Sequence, residues 1–277
     1  MQLSHAGKAA AFKALHERPG IFIVPNPWDA GSAKMLASLG FEALATTSGG
    51  LAYSLGKPDG LARISREETL ANVAAIVHAT DLPVTADLEN GFGDEPEACA
   101  ETILQAAATG LCGGSIEDAT GNPEAPIYPL DLAVRRVEAA VKAARSLAIP
   151  FVLTARAENL IRGRIDLPDT IRRIQAYAEA GADVLFAPGV KTPEEIMAVV
   201  TAVAPKPVNV IMGLAGCSLS LKDLENLGVK RVSLGSSLVR AAYGAFLHAA
   251  EEVRQKGTFT FAESTVSYSA FNKILGG

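Results

Sequence analysis

Phe151-Val152-Leu153-Thr154-Ala155-Arg156 is followed by sequence of helical period as far as Ala180-Gly181-Ala182-Asp183, and then by Val184-Leu185-Phe186-Ala187-Pro188. This is one strand–helix–strand unit. A short run rich in Val, Leu and Thr marks a strand, and glycine after an Ala/Glu-rich segment stops a helix. The same punctuation returns at Leu39-Gly40-Phe41-Glu42 and Leu227-Gly228-Val229-Lys230. Working outward, strands are predicted to begin near Ile21, Ala43, Pro83, Gly113, Phe151, Val184, Pro207 and Arg231. Eight strands at a spacing of about thirty residues predict an α/β protein of the (β/α)8 TIM-barrel type. An open doubly wound sheet competes less well, because its first turn should be glycine-rich and Pro25-Asn26-Pro27-Trp28-Asp29 is not.

No Pro/Ser-rich linker or change in composition interrupts residues 1–277, so a single barrel domain is expected. An N-terminal helix over 1–20 and a helical arm over 238–277 flank it. The arm carries Phe259, Phe261, Tyr268, Phe271, Ile274 and Leu275, which one barrel does not need. It either packs on a neighbouring subunit, making a homo-oligomer, or folds across the barrel bottom.

The chain is 49% hydrophobic and 20% charged, enough apolar material for a large core. Its 25 Lys and Arg against 30 Asp and Glu give a net charge of -5, which argues against nucleic acid or an anionic membrane as partner. No apolar run approaches the roughly 18–20 residues of a membrane span. The mixed-charge start lacks the apolar centre of a signal peptide, so a cytoplasmic location is expected. Cys99, Cys112 and Cys217 lack C-x-x-C spacing and predict neither a disulfide framework nor a zinc ribbon.

In such a barrel the chemistry sits at the C-terminal ends of the strands. Those places hold Asp29, Asp87, Glu89, Glu117, Asp118 and Glu158, against the single cation Arg156. Alternation puts Thr85, Asp87 and Glu89 on one face, as it does Ser115 with Glu117 and Thr154 with Arg156 and Glu158. Converging carboxylates without His or Cys nearby select a hard dication, Mg2+ or in its place Mn2+. Asp87, Glu89 and Glu117 are the candidate metal residues; Asp29, Asp118 and Glu158 could instead cap helices. Ser48-Gly49-Gly50 offers closely approachable backbone N–H groups for a carboxylate. The seventh strand contributes Asn209 as a further, substrate-binding candidate. No strand ends in a lysine suited to a Schiff base, and no histidine falls at a strand end.

An ordered set of short stretches runs through nearly the whole chain: Asn26-Pro27-Trp28-Asp29-Ala30, Gly40-Phe41-Glu42-Ala43, Ser48-Gly49-Gly50 and Gly56-Lys57-Pro58-Asp59. Further on come Asp87-Leu88-Glu89-Asn90-Gly91-Phe92-Gly93, Ile116-Glu117-Asp118, Thr154-Ala155-Arg156 and Tyr177-Ala178-Glu179-Ala180-Gly181-Ala182-Asp183. In these the chain resembles the isocitrate lyase/phosphoenolpyruvate mutase superfamily. The resemblance implies a barrel whose last helix is exchanged within a dimer, commonly inside a tetramer. It implies Mg2+ held directly by Asp87, with Glu89 and Glu117 reached through water. It implies Ser48, Gly49 and Gly50 on the substrate carboxylate, Arg156 on the substrate and Asp59 near the chemistry. The substrate would be a small 2-oxo or 2-hydroxy carboxylate, in which a C–C or P–C bond is made or broken. The loop after strand four departs from the pattern: Ala119 to Pro129 has neither the lyases' Cys-Gly-His nor the phosphonate enzymes' Lys, and keeps only Asn122. The glutamate after strand six is replaced around Ala187-Pro188-Gly189. Glu124, Tyr128 and Tyr53 are the candidate proton donors in their place. The expectation is a carbon–carbon lyase, with phosphonopyruvate or phosphoenolpyruvate chemistry, or a non-catalytic 2-oxo acid binder, as alternatives.

Overall fold

The computed structural model describes residues 3–276; Met1, Gln2 and Gly277, the ends of the two predicted arms, lie outside the described residues. Eight strands are present: β1 (Phe22–Val24), β2 (Leu44–Ala45), β3 (Val84–Asp87), β4 (Gly113–Glu117), β5 (Val152–Arg156), β6 (Val184–Phe186), β7 (Val208–Ile211) and β8 (Arg231–Ser233). Each begins within one residue of its expected start. All pairings are parallel, in the order β1-β8-β7-β6-β5-β4-β3-β2. The Ala45 N–H donates to the Pro25 carbonyl at 3.0 Å and closes the ring between β1 and β2. The fold is therefore the (β/α)8 barrel.

The intervening helices start where the sequence offers short polar caps. Asp29, Ser65, Thr192 and Ser220 each form reciprocal capping boxes with the residue three places on. Outward strand residues such as Ala86, Ile116 and Leu153 pack with Ile76, Ile103 and Ala140 of the helices. The N-terminal helix, His5–Glu17, places Ala9, Phe12 and Leu15 on one face against Phe22, Val24, Val152 and Val184. It plugs the N-terminal end of the barrel, and full burial of Phe12 alone contributes about 2–3 kcal/mol.

The barrel centre is polar: Thr85, Ser115, Thr154, Asn209 and Ser233 face inward where such barrels ordinarily pack branched apolar side chains. The C-terminal arm, by contrast, is apolar and open. Its helix Ser237–Lys256 buries only Val239, while Tyr243, Phe246, Leu247, Phe259 and Tyr268 are exposed. The last helix, Tyr268–Gly276, lies on Ala30–Ser38 of the same chain, with Lys34 Nζ donating to the Leu275 carbonyl at 2.7 Å. Among the described residues no helix is long and apolar enough to cross a membrane.

Candidate active site

The strand ends bring Asp87, Glu117 and Arg156 to one point. Arg156 Nη1 donates to Asp87 Oδ1 at 2.9 Å, and its Nη2 lies 3.2 Å from Glu117 Oε2 and 2.9 Å from Glu158 Oε1. All four side chains are almost wholly removed from solvent, and the guanidinium also stands over the Phe186 ring. Burial works against the Arg156 charge, but Glu158, Asp87 and Glu117 outweigh it and hold the group well above its ordinary range.

A second arginine, not anticipated from the sequence, completes the cluster. Arg162, in the loop after β5, reaches Glu117 Oε1 at 3.1 Å, Glu158 Oε2 at 3.4 Å and the Gly60 carbonyl at 3.2 Å. The expectation of a single cation among the acids is therefore corrected. Asp59, Asp87, Glu89, Glu117 and Glu158 still outnumber the two guanidinium groups, and the excess shows in the titration of Asp59, Glu89 and Glu117. Burial, then the charges of Asp87 and Asp59, push Glu89 up to about 7. Burial and Asp87 raise Asp59. Glu117 is raised well above the carboxylate range by burial and by Glu158, against the pull of Arg156. Asp87 moves down: burial raises it, but Arg156, Ser48 and the Glu89 amide outweigh that.

Glu89 sits in the left-handed region at φ 47, a conformation costly for a non-glycine residue. Its amide donates to Asp87 Oδ1 at 3.2 Å and its carbonyl accepts from the Glu117 amide at 2.9 Å, which pins it beside both. Ser48 begins the helix Ser48–Ser54 and turns its hydroxyl and amide onto Asp87 Oδ2, at 2.9 and 3.3 Å. Asp59 overhangs the same turn: a Cβ on Gly49 would stand 2.8 Å from its Oδ2, so only glycine leaves the carboxyl there.

Other candidates are placed elsewhere. Asp29 caps Ala30–Ser38. Asp118 points away from the barrel mouth to Arg173 Nη1 at 3.1 Å and the Tyr177 hydroxyl at 2.6 Å. Tyr128 is buried, with its hydroxyl donating to Asp94 at 2.5 Å and Arg136 over its ring. Glu124 is exposed on the loop rim. Asn209 lies below the cluster, donating to Ser233 and accepting from Arg231. Arg231 was also missed; the signal for it is its alternation with Ser233, which turns both inward.

Two loops cover the cluster. Residues 119–127 form a small hairpin, joined by an Ala119–Ile127 bridge. A Cβ on its Gly121 would stand 2.7 Å from that of Ala62, so this hairpin and the segment after Asp59 are in contact.

As a metal site, the donor set is right in kind, being carboxylate oxygen alone with an excess of negative charge. Among the described residues no three His, Cys, Asp or Glu side chains converge on one ion-sized point, because the arginines and Ser48 hold oxygens of Asp87 and Glu117. The residues fit a hard dication, provided that those contacts are exchanged for it.

A profile of the phosphoenolpyruvate phosphomutase family matches residues 12–254. The chain belongs to that family. Within the wider isocitrate lyase/phosphoenolpyruvate mutase superfamily it is similar to a Burkholderia cenocepacia protein provisionally described as a lyase/mutase. That structure is 57% identical, has a TM-score of 0.95, and the match covers 99% of this chain and 97% of the other. It is 32% identical to the phosphonopyruvate hydrolase of Variovorax sp., over 81% of this chain and 79% of that protein. It is 26% identical to the 2,3-dimethylmalate lyase of Eubacterium barkeri, over 97% and 94%. Members of the family are enzymes, lyases and mutases, and this chain is read as one.

Proposed function

We propose that the chain is a Mg2+-dependent carbon–carbon lyase acting on a small 2-oxo or 2-hydroxy dicarboxylate. One observation carries this reading. Five carboxyl groups face two guanidinium groups at the mouth of β3, β4 and β5, under two touching loops. Asp87 would hold the ion directly, with Glu89 and Glu117 through water, and Mn2+ would serve in its place. When bound it supplies positive charge where an enolate oxygen develops.

The chain's own residues do the rest. Arg156, rigidly held by Asp87 and Glu158, offers a fixed cation to the oxo acid. The first turn at Ser48, Gly49 and Gly50 would take the substrate carboxylate, with the Ser48 and Gly50 amides exchanging their present acceptors, Asp87 Oδ2 and Thr47 Oγ1, for it. The loop pair excludes water, which strengthens each of these contacts. Asp59 Oδ2 is the best-placed group to hold the transferred proton, since it overhangs Gly49 and its carboxyl is raised by burial and Asp87. Glu124 at the rim and Tyr128 in its buried lattice are less suited. The similarity to phosphonopyruvate hydrolase favours a second reading, P–C cleavage at the same site.

Steady-state assays over substituted malates, oxaloacetate and phosphonopyruvate separate the two: a free oxo acid from a C–C substrate supports the first, phosphate release the second. Affinity without turnover on any of them leaves a binder. Oxalate, a mimic of the enolate, should bind only with Mg2+ present and lose that binding in Asp87→Asn. Equal calorimetric affinity in EDTA removes the metal assignment.

A further inference from the structure

Below the carboxylate cluster lies a cavity of about 80 Å3, with Asp87 and Arg156 at its upper end and Arg231 at its lower. Arg231 is 5% exposed. Its Nε donates to Asn209 Oδ1 at 2.8 Å, its Nη2 to Thr154 Oγ1 at 2.9 Å, and its Nη1 faces His16 Nε2 at 3.3 Å. Every one of these partners is neutral. His16 is held neutral by burial and by Arg231 itself, with its Nδ1 turned to the Phe12 carbonyl. Burial pulls the guanidinium down to about 9 with no acidic group to oppose it, so it is still cationic at neutral pH.

A buried charge without a counter-ion is among the costlier features a protein can carry. Arg156 is matched by three carboxylates and Arg173 by Asp118 and Asp169, while Arg136 lies over the Tyr128 ring and donates to the backbone carbonyls of Asn90, Gly93 and Asp94. Thr85, Ser115, Thr154 and Ser233 give the cavity a set of hydroxyls, beside the apolar Val24, Ala45, Phe186 and Ile211. Thr154 lies two residues below Arg156 on β5, about 6.6 Å at the rise of a parallel strand. That spacing suits a short chain with an acid at each end.

We propose that Arg231, with Thr154 and Ser233, forms a carboxylate subsite inside the barrel that receives the far end of a four- or five-carbon dicarboxylate. The placement of the near end rests on the function proposed above; the subsite itself does not. It makes Arg231 a specificity-determining residue, separating diacids from monoacids of equal length.

The test uses the full-length protein and two calorimetric comparisons. Succinate should bind at least tenfold more tightly than butyrate, which has the same carbon chain and one carboxylate fewer. In Arg231→Met the ratio should fall to about one, with butyrate affinity unchanged. Formate, which can enter the cavity alone, should raise the melting temperature of the wild type and of Asp87→Asn but not of Arg231→Met. If Arg231→Met does not fold, Ser233→Leu, which fills the cavity from two residues beyond Arg231 on the same strand, should abolish the formate effect. Mg2+-dependent oxalate binding reports on the upper site alone. Formate protection that needs Arg231 while oxalate fails to bind upholds the subsite and sinks the lyase reading. Oxalate binding with no diacid preference and no formate effect does the reverse.

Discussion

Glu117 and Asp118 are neighbours in sequence and opposites in circumstance. Glu117 turns into the barrel mouth, where acids outnumber cations and its carboxyl is pushed upward by burial and Glu158. Asp118 turns outward into a lattice with Arg173, Tyr177 and the Glu158 amide, in which each oxygen has a donor within hydrogen-bond reach. The alternation of a strand end thus divides two equally buried carboxylates between binding and architecture. What differs is the charge balance: both Glu117 oxygens also meet arginines, but Arg156 and Arg162 are shared with Asp87 and Glu158 beside the further acids Asp59 and Glu89. A fully matched buried acid stabilises a fold; an undermatched one is available to something else.

The comparison can be broken most severely at Asp118. Asp118→Ala leaves Arg173 buried with only Asp169 beside it and should cost about 3–5 kcal/mol in denaturant unfolding. A loss below about 1 kcal/mol would return Asp118 to the list of functional acids. On the other side, Arg156→Ala should lower kcat and raise KM on the C–C substrate, with kcat/KM reduced about a hundred- to thousandfold. Unchanged kinetics would take Arg156 out of the site.

A pH titration sharpens the contrast at Asp169. Burial raises its carboxyl, but Arg173, Asn159 and Arg172 outweigh this and bring it from 3.8 to about 2. A depressed acid contributes stability that is present above the unfolded value and lost as pH falls through the folded one. The stability gap between the wild type and Asp169→Asn should therefore be constant above pH 3.8 and close between there and about 2. A gap that stays constant across that window contradicts the ion-pair assignment. The smallest effects belong to Tyr128→Phe and Glu124→Gln, each expected to leave kcat within about twofold because neither group reaches the carboxylate cluster. A large loss in either would move the proton-donor role from Asp59 to that residue.

Much of this was legible in the chain. Strand-forming runs punctuated by glycine located all eight strands because both signals are local. Asp87, Glu117 and Arg156 converge as alternation required, since strand pairing in a barrel leaves their direction no freedom. Arg162 was hidden because it lies in a loop bounded by Gly163, where no period tells which way a side chain turns. Arg231 was hidden for another reason: it opens a strand at the end of the barrel where chemistry is not sought. Asp29 and Asp118 read as possible ligands until their partners, Ser32 and Arg173, supplied the geometry that residue type alone does not carry.

Arg162 has one hand on the floor of the pocket and the other on its roof, joining Glu117 to the backbone of Gly60. Anything that competes for Glu117 therefore loosens the ceiling as well. By reciprocity, lifting the ceiling alters how firmly Glu117 is held, so admission of a guest and closure of the chamber are a single thermodynamic event.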